Sequence, residues 1–369
     1  MLLTSGRSAG TFHLKARNRP VIMSTSSAHT IIIGAGPAGL ACAAMLASSG
    51  REVLVLERLP CAGPKPCAGG IPNGALEPDL LPPELMERSF NRQRIITPHQ
   101  NFLLHKNQPI IHTVNREKLG AWMRQQAEEA GAVVLTGTRG RRINDRVLVT
   151  DQGDFRFKYL VGADGSNSLV RRHLGLPLEL AGIGITHQVP GHFPEMEWHI
   201  KPALFGSGYA WIFPHRDSAS VGVYAFRGRL RSHLLRDRLH QWAEQRGVDI
   251  GGARTRASLV SFDYRGARFG NLFLAGDAAG LASGLTGEGI AAAIYSGRAV
   301  ASAILDDHGQ PPDLGTLLAR HARHRRLVRF ITRLPRTGRP VLETLALALR
   351  WGVLPPETLE IVKKQPSRR

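Results

Sequence analysis

Three glycines near the start of the chain have the spacing of a phosphate-binding turn. Gly34, Gly36 and Gly39 follow a short β-branched run that begins at Thr30. Gly34 permits a tight turn, Gly36 lets the backbone approach a pyrophosphate, and Gly39 lets a helix pack against a strand. The N-terminus of that helix would face the anion. The chemistry indicated is binding of a dinucleotide.

The elements that must hold this turn can be predicted from the residues around it. The run ending at Ile33 predicts a strand, and the small residues from Pro37 and Ala38 onward predict a helix. A second strand over residues 52–56 leads to Glu57, next to Arg58. The Glu57 carboxylate would accept hydrogen bonds from the adenosine ribose. Strand, helix, strand and terminal acid predict a nucleotide-binding unit without choosing between NAD and FAD.

Two later segments decide between these cofactors. Residues 159–166 predict a strand that leads to Asp164, and residues 271–280 predict a strand that ends at Gly276 and Asp277. In large flavin enzymes, such a Gly-Asp pair holds the ribityl chain. The sequence therefore predicts non-covalently bound FAD.

Two further motifs make the resemblance specific. Residues 65–72 contain Cys67, Gly69 and Gly70 and resemble a Lys-Pro-Cys-Gly-Gly loop, and residues 114–119 resemble a Val-x-Arg-x-x-Phe helix start. From about Thr30 to Ile304 the chain resembles the glutathione-reductase-type flavoproteins of the aromatic hydroxylase group, and most closely the geranylgeranyl reductase family. This resemblance implies that Arg116 contacts FAD and that the cysteine loop lies near the flavin.

A second flavin motif is expected where a glycine-rich turn opens a helix. Gly287, Glu288, Gly289 and Ile290 belong to a run similar to the family's long second motif. Backbone N–H groups and the positive end of the helix would stabilise negative charge on the reduced flavin. The alternative is an ordinary helix cap.

Between these motifs lies an aromatic strand. Alternation places Tyr209, Trp211 and Phe213 on one face, where they form either a sheet core or a pocket wall. The run resembles the substrate-pocket Tyr-x-Trp-x-Phe-Pro of the same family, which favours an isoprenoid pocket. The chain departs from the family pattern at Ala68 and Gly284, and residues 181–262 are compact, which suggests a smaller substrate.

Saturation of a C=C bond needs a hydride from the flavin and a proton from elsewhere. By resemblance Cys67 is the proton donor or relay nearest the flavin, and Tyr209 is a second candidate from the pocket wall. Cys67 could equally be a small loop residue. The sequence has no second glycine-rich fingerprint, so the electron donor is expected to be transiently bound NADPH or a reduced redox protein.

The charge distribution bears on the partners. The chain carries 48 Lys and Arg against 29 Asp and Glu, a net charge of +19, and residues 311–369 hold 13 basic and 4 acidic residues. Interleaved Arg and apolar residues suit either an anionic membrane surface or a solvated helix pair. Nucleic acid is not expected, because no recognisable module accompanies the charge. The three cysteines indicate neither a disulfide framework nor a metal site. A cytoplasmic protein is expected, with a peripheral position at the inner membrane face as the open alternative.

Three functions remain open at this level. The first is an FAD-dependent reductase that saturates C=C bonds of a geranylgeranyl-type lipid or pigment precursor. The second is an FAD-dependent monooxygenase, against which Ala278-Ala279-Gly280 argues, because hydroxylases usually have Ala-His there. The third is a membrane-associated flavoprotein with an indirect role in envelope lipid metabolism.

The order of motifs predicts an α/β architecture. We expect a Rossmann-type, doubly wound FAD-binding domain from residues 23–180 and 263–310, with an inserted antiparallel β-sheet substrate domain over 181–262. Residues 311–369 should form a basic helical C-terminal region, and residues 1–22 are expected to be a disordered or misassigned extension.

Overall fold

The computed structural model describes residues 26–75, 81–226, 232–306, 314–333 and 335–362. The predicted N-terminal extension, residues 1–22, lies outside the described residues. Within the described ranges the chain forms three sheets and eight α-helices, numbered below in chain order.

The first sheet has eight strands and a parallel centre. Its order is β17-β18-β11-β1-β2-β8, and β10 and β9 extend it from β11. The strands are β1 (Ser26–Ile33), β2 (Val53–Glu57), β8 (Val133–Thr136), β9 (Gly140–Asn144), β10 (Val147–Thr150), β11 (Asp154–Gly162), β17 (Arg268–Phe269) and β18 (Leu272–Leu274). The strands β18, β11, β1, β2 and β8 run parallel, as the predicted nucleotide-binding fold requires.

The second sheet has seven strands, in the order β16-β12-β15-β14-β13-β5-β6, and is antiparallel except between β13 and β5. Its strands are β5 (Arg92–Ile96), β6 (Asn101–His105), β12 (Ala181–Pro190), β13 (Glu197–His199), β14 (Tyr209–Pro214), β15 (Ser218–Phe226) and β16 (Arg256–Ser261). A small third sheet contains β3 (Gly70–Pro72), β4 (Met86–Phe90) and β7 (Ile111–Val114).

Two strands of the second sheet come from outside residues 181–262, the range predicted for the antiparallel sheet. Residues 23–180 were all expected in the FAD-binding domain, but β5 and β6 join the second sheet through β13. These strands could not be assigned to the second sheet from the sequence because they pair with a distant segment. Trp198 is in register with Ile95, about a hundred residues away, and no local sequence pattern indicates such a pairing.

The helices complete the layers. They are α1 (Pro37–Ser48), α2 (Arg116–Glu129), α3 (Leu169–His173), α4 (Pro202–Phe205), α5 (Ser232–Gln245), α6 (Ile290–Leu305), α7 (Gly315–Arg333) and α8 (Pro335–Arg350). Helices α1 and α6 are rich in small residues and buried along most of their length, so they pack closely against each other. A Cβ at Gly297 of α6 would lie 2.1 Å from the Ala38 carbonyl oxygen, so a side chain there would prevent this approach.

The C-terminal part of the chain is helical, as predicted, and returns to both sheets. Ala346 and Leu349 of α8 are buried in the apolar cluster beneath the second sheet, and Glu343 accepts a hydrogen bond of 2.7 Å from the Thr97 hydroxyl. Residues 351–362, the C-terminal segment, then bring Ile361 and Val362 into a core of the first sheet. Among the described helices, none is both long enough and apolar enough to cross a membrane.

Candidate functional site

One cavity of about 850 Å³ lies between the first and second sheets and holds most of the predicted site residues. The carboxyl ends of β1, β2 and β11 contribute to it from one side, and β5, β12, β13 and β14 from the other. The predicted site residues that line it are Gly34, Gly36, Pro37, Ala38, Glu57, Arg58, Cys67, Gly70, Arg116, Asp164, Tyr209, Trp211, Phe213, Gly276, Asp277, Gly287, Glu288, Gly289 and Ile290.

The glycine turn at one end of the cavity has room for a phosphate. A Cβ at Gly36 would have no atom within 4 Å, whereas one at Gly34 would lie 2.5 Å from the Ala163 carbonyl oxygen. Gly34 is therefore needed for close packing and for its positive φ of 106°. Gly39 does not line the cavity; it lets α1 approach the turn, since a Cβ there would meet the Gly34 carbonyl oxygen at 2.0 Å. The three glycines thus differ in what their surroundings require of the backbone.

Glu57 ends β2 beside this turn. Its Oε2 accepts a hydrogen bond from the Ala35 N–H, and its Oε1 accepts one from the Leu59 N–H, both at 2.9 Å. Each carboxylate oxygen has further acceptor capacity. Glu57 is consequently fixed at the cavity with capacity to accept the hydroxyl donors of a ribose.

Arg116 has the clearest sign of a missing partner. Its Nε and Nη1 are buried and have no hydrogen-bond partner within the described part of the chain, although the residue lines the cavity. Buried guanidinium donors are rarely left unpaired. Together with the open space at Gly36 and the N-terminus of α1, this arrangement fits the pyrophosphate and adjoining groups of FAD.

Acidic residues that follow β11 and β18 also line the cavity. Asp164 Oδ2 accepts a hydrogen bond of 2.6 Å from the Leu169 N–H, and burial raises the pKa of Asp164. Asp277 pairs with Lys65, whose Nζ lies 2.8 Å from Oδ2. Lys65 stands in the cysteine loop, so this ion pair ties that loop to the Gly-Asp motif of β18.

The cysteine loop is positioned by several hydrogen bonds. Cys67 is half-buried, and its Sγ accepts a hydrogen bond from the Gly69 N–H at 3.4 Å. Gly69 adopts a φ of 79° and shapes the loop rather than lining the cavity. His215 lies 3.1 Å from the Ala68 carbonyl oxygen through Nε2. All three cysteines of the chain are free, so Cys61 and Cys67 are not joined in this structure.

The turn before α6 is partly closed on itself. The Gly287 N–H donates to the Ser283 carbonyl oxygen at 2.9 Å, and the Glu288 N–H lies 3.4 Å from the Thr286 hydroxyl. Of the N–H groups from Gly287 to Ile290 that the sequence predicts near the reduced flavin, those of Gly287 and Glu288 are used within the turn. The helix that begins at Ile290 keeps its positive end at the cavity.

Glu288 is an unusual carboxyl group in this turn. Its Oε2 accepts a hydrogen bond of 3.1 Å from the Ile361 N–H of the C-terminal segment, and its Oε1 is buried without a hydrogen-bond partner among the described residues. Burial, with Glu360 nearby as a further cause, raises the pKa of Glu288 to about 8. The group is therefore mostly neutral at pH 7.

Aromatic side chains form the opposite wall. Tyr209, Trp211 and Phe213 contact one another in series on one face of β14, with ring centroids 6.0 and 6.4 Å apart. The Tyr209 hydroxyl donates to the Thr286 carbonyl oxygen, and burial raises the pKa of Tyr209. Trp198 extends this wall, with its ring 5.6 Å from that of Tyr209. The face is thus both sheet core and cavity wall.

Some residues of the site were not predicted from the sequence. Lys65 belongs to the loop motif, but its ion pair with Asp277 could not be predicted because the two residues lie 212 positions apart. Trp198 and Gln93 reach the cavity only because β13 and β5 pair. His215, which contacts the cysteine loop, could have been found from its position directly after the aromatic strand β14. The described residues contain no cluster of side chains suited to a metal ion.

Comparison with known proteins agrees with this geometry. Residues 27–190 match the family model described as an FAD binding domain. The chain is 30% identical to an uncharacterized protein of Methanosarcina barkeri over 74% of this chain and 73% of that protein. It is 29% identical to the chloroplastic geranylgeranyl diphosphate reductase of Oryza sativa subsp. japonica, over 79% of this chain and 69% of the relative.

A solved structure has the same fold. The geranylgeranyl bacteriochlorophyll reductase-like protein of Thermoplasma acidophilum superposes with a TM-score of 0.69 at 21% identity, covering 91% of this chain and 90% of the other. Fold, cleft and family match define an FAD-dependent oxidoreductase. The chain belongs to the geranylgeranyl reductase family.

Gly36 provides a test of cofactor binding. Gly36→Ala should lower FAD affinity at least about tenfold, because the new methyl group would occupy the space at the phosphate turn. The apo protein should keep its melting temperature, since φ at Gly36 is −84° and nothing lies within 4 Å of the added carbon. Titration of apo protein with FAD, followed by flavin fluorescence, measures the affinity. Gly252→Ala, also in open space, is the matched control; equal affinities in both variants would contradict the assignment.

The raised pKa of Glu288 predicts that the stability of the folded protein depends on pH. Its pKa rises from 4.5 to about 8 on folding, so the folded protein binds this proton more tightly than the unfolded chain. The resulting stabilisation is complete below pH 4.5 and is lost as the pH rises through 8. Glu288→Gln should therefore flatten the fall of melting temperature between pH 5 and about pH 8.5. Glu117→Gln, at an exposed position, serves as control; identical pH profiles for wild type and Glu288→Gln would refute the shift.

Proposed function

We propose that this oxidoreductase saturates C=C bonds of a geranylgeranyl-type chain. The observation that carries the proposal is the continuity of one cavity, which joins the FAD-binding turns to the wall of Tyr209, Trp211 and Phe213. FAD, when reduced, supplies the hydride for such a reaction. The aromatic wall would hold the isoprenoid chain and exclude water from the reacting carbons.

The chain must also supply a proton. We assign this role to Cys67, which is half-buried at the cavity and whose loop is anchored by the Lys65–Asp277 ion pair. The Tyr209 proton is already donated to the Thr286 carbonyl oxygen, and the raised pKa of Tyr209 makes its ionisation unfavourable. Tyr209 would then orient the chain and the flavin turn, while Cys67 protonates the second carbon.

Electrons would enter at the same cavity. Two electron donors are proposed. One is NADPH bound transiently over the flavin, and the other is a reduced redox protein docked at the rim of the cavity. Arg58, Arg139 and Arg172 line the nucleotide end of the cavity, and their charge suits an anionic donor of either kind.

Flavin reoxidation tests the proposal directly. The anaerobically reduced protein is mixed in a stopped-flow instrument with oxygen and, separately, with a geranylgeranyl lipid. We expect slow reaction with oxygen and fast, lipid-dependent reoxidation with a saturated product. Cys67→Ala should retain FAD and lose at least about a hundredfold in the lipid-dependent rate.

Cys61→Ala is the matched control for this experiment, because Cys61 also lines the cavity and is exposed. It should leave the rate unchanged. Rapid reaction of the wild type with oxygen, a hydroxylated product and no response to lipid would replace the reductase with the monooxygenase. An unchanged rate in Cys67→Ala would remove Cys67 from the reaction.

The C-terminal region supports a second, finer proposal, contact with an anionic membrane surface. Trp351 and Val353, which directly follow α8, are 74% and 78% exposed, and Phe330 of α7 and Leu347 of α8 are also exposed. Exposed arginines lie among them, including Arg350. Exposed apolar side chains interleaved with arginine are typical of interfacial segments that insert among anionic headgroups.

Vesicle co-sedimentation tests this surface. The protein should bind vesicles that contain an anionic phospholipid and bind neutral vesicles more weakly. Trp351→Ala combined with Val353→Ser should weaken anionic-vesicle binding about tenfold. Val133→Ser changes an exposed valine on β8 and should have no effect. Absence of anionic-vesicle binding by the wild type, or equal loss in the control, would contradict the proposal.

A further inference from the structure

Two buried N–H donors lie in the second-sheet part of the cavity. Gln93 is 2% exposed, and its Nε2 has no hydrogen-bond partner in the part of the chain that the structure describes. The same holds for the buried Nε1 of Trp198. Both residues line the cavity. Buried donors are usually paired, so two unpaired ones at one cavity require an explanation.

The sheet places these donors on one face. Residues 93 and 95 of β5 share a face by alternation, and Ile95 also lines the cavity. Trp198 of β13 is in register with Ile95, and Leu104 of β6 is in register with Gln93. Gln93 and Trp198 are therefore diagonal neighbours, with the apolar side chains of Ile95 and Leu104 beside them.

The chemistry of Trp198 fixes what the missing partner must be. An indole N–H can only donate, so the partner is a hydrogen-bond acceptor. The Gln93 amide can donate to the same atom. Both donors stand in apolar surroundings, where an unpaired polar group is costly and a ligand that pairs it is favoured.

The charges around this part of the cavity select a neutral acceptor. The lysine and arginine residues that line the cavity, Arg58, Lys65, Arg116, Arg139, Arg141 and Arg172, all belong to the nucleotide and flavin side. The second sheet and the C-terminal segment also line the cavity. Their described lining residues include one acidic residue, Glu360, and no basic residue. A diphosphate in this part would lack the cationic partners it needs.

We propose that Gln93 and Trp198 form a subsite for a neutral oxygen of the isoprenoid substrate, such as an ether, ester or carbonyl oxygen. This subsite rests on the proposed function and narrows its substrate class. It favours a prenyl chain attached through uncharged oxygen over one whose only polar group is a diphosphate.

Binding to the oxidised holoenzyme tests the subsite without turnover. The probes are geranylgeranyl methyl ether, the hydrocarbon of equal length without oxygen, and geranylgeranyl diphosphate, each titrated while the flavin absorbance is followed. The wild type should bind the ether at least about tenfold more tightly than the hydrocarbon. Gln93→Met, which removes the donor at similar volume, and Trp198→Phe, which removes only the indole N–H group and one ring, should each reduce this preference severalfold.

Gln188→Met on β12 changes an exposed glutamine and is the matched control. It should preserve the preference for the ether. Hydrocarbon and diphosphate affinities should be the same in wild type and Gln93→Met. A wild type without preference for the ether, or a preference unchanged in both subsite variants, would overturn the subsite.

The reduced enzyme separates this inference from the proposed function. Preference for the ether without lipid-dependent reoxidation would support the subsite and contradict the reductase. Reoxidation by geranylgeranyl lipid with a preference that neither variant alters would support the reductase and overturn the subsite.

Discussion

The close approach of α1 and α6 is the constraint on which the site depends. Gly297 lies so near the Ala38 carbonyl that no side chain fits between the helices, and Gly276 packs against Ala38 and Ala293 in the same region. Both helices begin at the cavity, one after the phosphate turn and one after the flavin turn. A contact between two small-residue surfaces thus brings together motifs that lie about 250 positions apart in the chain. Dense packing allows little freedom in the separation of the two turns.

The parts of the fold that could be predicted are those determined by residues close together in the sequence. The positions of Gly34, Gly36 and Gly39 follow from the geometry of one local turn, and Glu57 ends the next strand along the chain. The alternation in β14 placed Tyr209 and its neighbours on one face because side chains alternate in any strand. Membership of the FAD-dependent oxidoreductases and of the geranylgeranyl reductase family was also confirmed.

What could not be predicted depends on partners far along the chain. The pairing of β5 with β13 moved residues 92–105 into the second sheet and made Gln93 a cavity residue. The glycine-rich pattern of residues 287–290 does not show that the N–H groups of Gly287 and Glu288 bond to Ser283 and Thr286 within the turn. Hydrophobic pattern determines which face of a strand is buried, while the choice of neighbouring strand depends on the whole sheet.

The contacts of the C-terminal segment determine how the cavity can open. Arg320 donates hydrogen bonds to the carbonyl oxygens of Glu357 and Glu360, and the Ile361 N–H bonds to Glu288 beside the cavity. These contacts all involve one short segment, so they can break together by local unfolding while both sheets remain folded. Pro356, Leu359 and Glu360 line the cavity, so local unfolding of the segment would open one wall of the cavity to solvent.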